Sequence, residues 1–253
     1  MASDAETGKG AGEGTGEGTG EGAGTTPLSD WTPPLAPGRM VLEGAYLRLE
    51  PLTLAHADAL HAANDASERW HYLPYGPFEL DTYRDWVREI SRHADPLFFA
   101  FVTAEGPVGI GSLMRIAPAA GTIEIGHLNF SRYLAGRPAA TEGIFMMADW
   151  AFAAGYRRLE WKCDAANRAS RRAAQRFGFS YEGIFRQAAV VKGRNRDTAW
   201  FAMMDWEWPP LRQAFTSWLA APNFDENGRQ RQRLSALTAP VLAARDPLLE
   251  HDA

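Results

Sequence analysis

The chain has a single cysteine, Cys163. No disulfide can form within it, so the reducing cytoplasm is the expected compartment. Long apolar runs are missing too. None approaches the ~20 residues that span a bilayer, and the N-terminus lacks the basic-then-apolar pattern of a secretory signal. No membrane partner is expected. Positive charge is not in surplus: 26 Lys and Arg against 31 Asp and Glu give a net charge of −5. Without a basic excess to neutralise phosphates, nucleic acid is not an expected partner. There is no GxxxxGK[ST] and no GxGxxG, which speaks against a nucleotide-binding, doubly wound sheet. No metal is expected.

What the sequence does contain falls into three parts. Residues 1–38 have few large apolar side chains, and residues 10–24 repeat Gly, Glu and Thr. Such a segment buries too little surface to offset its ordering entropy and is expected to be a disordered, acidic, Gly-rich tail. Pro33, Pro34 and Pro37 mark a linker. Residues 39–208 carry the patterning of one domain, and residues 209–253 are expected to form a C-terminal helix (210–219) and a charged tail.

Within the domain, residues 45–51 alternate like a half-buried strand and residues 54–66 have helical spacing. An aromatic loop, 70–78 (WHYLPYGPF), precedes a predicted helix over 81–94 with Asp81 as N-cap. Strands over 97–103, 108–116 and 122–130, joined by tight turns, read as an antiparallel meander. A helix over 138–154, a strand over 158–163 and a helix over 168–177 follow. Strands over 181–191 and 198–205 flank a polar turn, 192–197. This order predicts one mixed sheet with helices on its faces.

The most informative junction is residues 130–142 (FSRYLAGRPAATE). A helix N-terminus exposes unpaired N–H groups and the positive end of the dipole, which suits an anion such as a pyrophosphate. Gly136 permits a tight turn, and Pro138 fits the first helical position. Ala139, Ala140 and Thr141 offer N–H groups past small side chains, while Arg132 and Arg137 add charge. Simple punctuation of a loop before a helix explains Gly136 and Pro138 equally well.

This segment is similar to the coenzyme-binding motif of GNAT acetyltransferases, Gln/Arg-x-x-Gly-x-Gly/Ala. Here it reads Tyr133-Leu134-Ala135-Gly136-Arg137-Pro138, with Gly136 matching and Pro138 standing where a second small residue is usual. A second element, Asn167-Arg168-Ala169-Ser170 followed by Gly178-Phe179, resembles the Asn-x-x-Ser…Gly-Phe signature of the branch that acetylates ribosomal-protein N-terminal alanines. Asn167 also suits a helix N-cap and Gly178 a helix C-terminus.

The resemblance implies an α/β (α+β) fold: a mixed, mostly antiparallel twisted sheet of about seven strands, splayed between the fourth (122–130) and fifth (158–163). It implies acetyl-CoA as co-substrate and a primary amine as acceptor, with direct attack in a ternary complex. Coenzyme contacts would come from the backbone of Leu128, Asn129 and Phe130, from Arg132, Leu134, Gly136, Arg137, Ala139, Ala140 and Thr141, and from Asn167 and Ser170. Many members place a Tyr seven residues after the motif Asn to protonate the leaving thiolate. Here that position is Ala174, and Ser170 is the substitute. Glu124 is the first choice for base and His127 the second. By strand alternation they lie on opposite faces unless a bulge intervenes.

Three further readings concern aromatic and sulfur side chains. Trp70, Tyr72 and Tyr75 are candidates for an acceptor pocket that cages an ammonium, with packing against the sheet as the plain alternative. Trp161 and Trp200 read as core. Trp206, Trp208 and Trp218 offer a surface for a partner, such as a second copy in a homodimer. Cys163 reads as a small apolar strand residue, not a nucleophile. The competing function is a non-catalytic acyl-CoA-binding module on the same scaffold.

Overall fold

In the computed structural model, residues 28–64 and 66–250 are described. Most of the segment expected as a disordered tail, residues 1–27, lies outside them. The unit spanning residues 32–253 carries eight strands, β1 Leu42–Glu43, β2 Arg48–Pro51, β3 Leu97–Thr103, β4 Gly106–Ala117, β5 Thr122–Phe130, β6 Arg158–Asp164, β7 Ser180–Val191 and β8 Arg194–Met204. Its helices are α1 Ala57–Ala63, α2 Leu80–Ile90, α3 Pro138–Ala153, α4 Arg168–Arg176, α5 Trp208–Leu219, α6 Leu234–Thr238 and α7 Pro247–Glu250.

The strands form one sheet in the order β1-β2-β3-β4-β5-β6-β8-β7. Every neighbouring pair is antiparallel except β5–β6, which is parallel. A parallel pair needs a crossover, and α3 supplies it. The expected fold class holds, with a short extra strand, β1, at the edge.

Strand β3 shows why the sheet is covered on both faces. Its LFFAFVT run is apolar at consecutive positions. Leu97, Phe99 and Phe101 enter the larger core, which includes residues of α3 and α5, while Phe98 and Ala100 join residues of α1 and α2 on the other side. Alternation along a strand sends neighbours to opposite faces, so a continuous apolar run means burial on both.

Several local expectations change. Helix α2 has Glu79, not Asp81, at its N-cap position, without a side-chain cap hydrogen bond; Asp81 lies in the first turn and pairs with Arg84 at 2.9 Å. The 192–197 turn shrinks to Lys192 and Gly193, whose φ values of 49° and 74° permit a two-residue hairpin. Its polar flank is strand, exposed at Arg194 and Asn195 and half-buried at Arg196 and Asp197. The C-terminal segment is no loose tail, since Leu234, Thr238 and Asp246 are fully buried. Asp246 receives Arg171 Nε at 2.6 Å and Nη2 at 2.5 Å. Trp208 and Trp218 are buried in the chain's own core, and only Trp206 of the three tryptophans is exposed.

Candidate active site

Strands β5 and β6 pair only from Thr122↔Arg158 to Ile125↔Trp161. Beyond that point each keeps its other neighbour. Gly126, Asn129 and Phe130 stay on β4, and Lys162, Cys163 and Asp164 stay on β8. The two strands therefore diverge, and a cavity of about 710 Å³ opens between them. Glu124, His127, Leu128, Asn167 and Ser170 all line it, as do Trp161 and Trp200.

A bulge brings both base candidates to this cavity. Ile110 pairs with Asn129 and Ser112 with Gly126, so His127 and Leu128 together oppose one residue of β4. His127 takes the bulged conformation, with φ 52°. Plain alternation would have turned it away from the face of Glu124.

Glu124 is buried. Its Oε2 accepts from Arg115 Nη1 at 2.7 Å and faces Lys162 Nζ at 3.0 Å. Lys162 also reaches Glu160 at 2.6 Å and sits 3.7 Å above the Trp200 ring. Both ion pairs of Glu124 fall on one oxygen, which leaves Oε1 for a ligand. His127 Nδ1 is 2.9 Å from the Tyr75 hydroxyl. Burial, with Arg115 and Arg196 nearby, pulls its pKa down to about 4, so the imidazole is neutral at physiological pH.

On the β6–α4 side, Asn167 caps α4 by accepting the Ser170 N–H at 3.0 Å. Trp161 Nε1 donates to Ser170 Oγ at 3.0 Å. Because the indole can only donate, the hydroxyl proton of Ser170 is left to point elsewhere. Burial pushes the pKa of the nearby Cys163 thiol up to about 11. A thiol held that high is a poor nucleophile.

At the start of α3, Gly136 has φ 75°, the left-handed conformation that favours glycine. Arg137 caps the helix without a side-chain hydrogen bond, so the first turn keeps unmet donors. The residues expected to meet a phosphate divide. Gly136, Arg132 and Arg137 are exposed. Leu134 is fully buried and its N–H already donates to Ser131 O at 3.1 Å. Ala140 N–H is spent on Arg137 O at 3.1 Å, and Thr141 Oγ1 accepts from Arg176 at 3.2 Å. Asn129 is buried, neither of its side-chain amide atoms has a partner among the described residues, and it does not line the cavity. The open slot between the strands suits an extended ligand, and the start of α3, whose residues do not line that cavity, suits an anion.

The aromatic loop is mostly packing. Trp70 is buried among Tyr75, Phe78, Tyr83 and Trp86 and donates its Nε1 to Asn64 O at 3.1 Å. Tyr75 stacks on His127. Of the three loop aromatics expected at an acceptor pocket, only Tyr72 lines the cavity. The two tryptophans read as core are the ones that line the cavity. Trp161 is buried and also belongs to the core, whereas Trp200 is half-buried beside Phe185. Arg69, Arg115 and Lys162, which escaped the sequence reading, complete the wall together with Arg196 from the segment expected as a polar turn. The alternation of Arg196, Thr198 and Trp200 on β8 was the signal that pointed to one face.

Comparison with known proteins agrees with this architecture. Residues 46–180 match the family model of the acetyltransferase (GNAT) domain. A GCN5-related N-acetyltransferase from Brucella melitensis is 48% identical, covers 84% of this chain and 100% of its own, and superposes with a TM-score of 0.82. A GNAT-family protein from Chromobacterium violaceum is 39% identical, covering 73% of this chain and 96% of its own with a TM-score of 0.69. An acetyltransferase of Salmonella typhimurium that modifies the N-terminal serine of ribosomal protein L7/L12 is 20% identical, covers 65% of this chain and 99% of its own, and has a TM-score of 0.58, a likeness of fold. No curated protein matches significantly. The chain belongs to the GNAT acetyltransferase family, and its class is that of an acyltransferase.

Proposed function

We propose that the protein moves an acetyl group from acetyl-CoA to a primary amine by direct attack, the amine being a peptide or protein N-terminus or a small molecule. The observation that carries this reading is the divergence of β5 and β6 around a cavity holding Glu124, His127 and Ser170.

Each residue then has a role. Gly136, Arg132, Arg137 and the first turn of α3 hold the pyrophosphate. Backbone N–H groups near Leu128–Phe130 face the thioester carbonyl, where charge develops as the amine attacks. The acceptor arrives as an ammonium and must lose a proton before its nitrogen forms a bond to the acetyl carbon. Glu124, through Oε1 and a water, takes it. The C–S bond breaks as the new C–N bond forms, the second proton lost by the attacking nitrogen passes to the leaving sulfur to give the CoA thiol, and the Ser170 hydroxyl, which accepts from Trp161, hydrogen-bonds that sulfur. His127 stays neutral and fixes the β5 bulge through Tyr75.

A panel of amines and peptides, followed by CoA release from acetyl-CoA, tests the reading. Turnover of any primary amine that falls about 100-fold or more in Glu124→Gln supports it, since general base catalysis contributes that much. Release unaffected by the substitution counts against Glu124.

A further inference from the structure

The wall contributed by β8 carries an unmet cation. Arg196, Thr198 and Trp200 alternate along that strand and all face the cavity. Arg196 Nε and Trp200 Nε1 are both buried without a hydrogen-bond partner among the described residues. The other cations of the wall are engaged. Lys162 meets Glu124 and Glu160, Arg115 meets Glu124, and Arg69 donates to the Phe130 carbonyl. Of the three acids that line the cavity, Glu124 is held by those two cations, Asp164 accepts the Ala166 N–H at 2.8 Å, and Glu68 is exposed. Among the described residues, no acid pairs with Arg196.

Arg196 lines the same cavity as His127 of β5 and Cys163 of β6, the cleft where those strands diverge. A buried N–H without a partner is costly, and a guanidinium fork matches a carboxylate in two parallel bonds. The unmet atoms of this wall are all donors, so a ligand that completes it brings acceptors. With Glu124 in the same cavity to take the amine's proton, the complementary acceptor carries a carboxylate as well as an amine.

We propose that Arg196 is a specificity residue that binds a carboxylate on the acceptor amine; the proposal rests on the acetyltransfer reading above. That carboxylate belongs either to a free amino acid or to an acidic side chain near a peptide N-terminus.

The test is calorimetric titration of the full chain, saturated with CoA, with two pairs of probes. One pair is alanine and alaninamide. The other is the amidated tripeptides Ala-Asp-Ala and Ala-Asn-Ala. The acid member of one pair is expected to bind at least about tenfold tighter than its neutral counterpart. Arg196→Gln, checked for unchanged melting temperature and acetyl-CoA affinity, removes the difference, and Arg196→Lys restores part of it. The pair that responds identifies the source of the carboxylate. Acid and neutral members that bind alike in both pairs, or a preference that survives Arg196→Gln, overturn the proposal. CoA release with the same amines is read separately. Acid preference without release from any amine faults the acetyltransfer reading and leaves Arg196 standing, whereas release without acid preference does the reverse.

Discussion

The Tyr75 hydroxyl lies 2.9 Å from Nδ1 of His127, and the imidazole it holds has a pKa lowered to about 4 by burial and by the charges of Arg115 and Arg196. The folded-state value is below the unfolded one of about 6.5. Between those values the unfolded chain binds the extra proton, so folding stability rises with pH. The contribution is fully present above about pH 6.5 and is lost as pH falls toward 4. It amounts to about 3 kcal/mol at most. Urea denaturation from pH 4 to 7 is expected to show a flatter pH dependence in His127→Gln than in the wild type. Identical slopes would mean His127 titrates normally.

The carboxylate of Glu142 sits on α3 and binds the start of the fold. Its oxygens accept the N–H groups of Ala45 and Tyr46 at 2.7 Å each and of Leu47 at 3.1 Å. Removing a buried charged acceptor leaves those donors to find other partners. Glu142→Ala is expected to destabilise by about 3 kcal/mol, visible as a lowered melting temperature. A change below about 0.5 kcal/mol would show that these bonds are replaced by water at no cost.

Arg171 and Asp246 form a buried bidentate pair that ties the C-terminal segment to α4. Breaking such a pair leaves an uncompensated buried charge, at a cost of about 3–5 kcal/mol. Asp246→Ala is expected to lose about that much in chemical denaturation. The double variant Asp246→Ala with Arg171→Met is expected to recover part of it, because no lone charge remains. A double variant no better than the single one would place the stability of this segment elsewhere.

Much of this fold was legible. Strand β3 begins and ends where its apolar run does, β5 spans the expected residues 122–130 between its turns, and Asn167 caps α4 as its residue type suggests. The parts that escaped share a physical cause: they depend on contacts between distant positions. Residues 220–250 look like a charged tail because their buried anchors, Leu234, Thr238 and Asp246, are sparse and obey no period. Asp246 finds Arg171 75 residues away. At the site, period-two alternation separates Glu124 from His127, and only the bulge, a register event between β4 and β5, brings both to the cavity. The aromatic loop was ambiguous for the same reason. Whether Trp70 and Tyr75 line a pocket or fill a core depends on Trp86 of α2, which packs against both and is itself backed by Phe98 of β3.

The coenzyme slot between β5 and β6, with Gly136 at the start of α3, is the central claim. Calorimetric titration of acetyl-CoA into the purified protein tests it most directly. Binding in the micromolar range is expected, lost in a Gly136→Glu variant that keeps its cooperative melting, because the new side chain brings negative charge to the anion site and strains a residue at φ 75°. A folded wild-type protein that does not bind acetyl-CoA, or a folded Gly136→Glu variant that binds it as tightly as wild type, would contradict the claim.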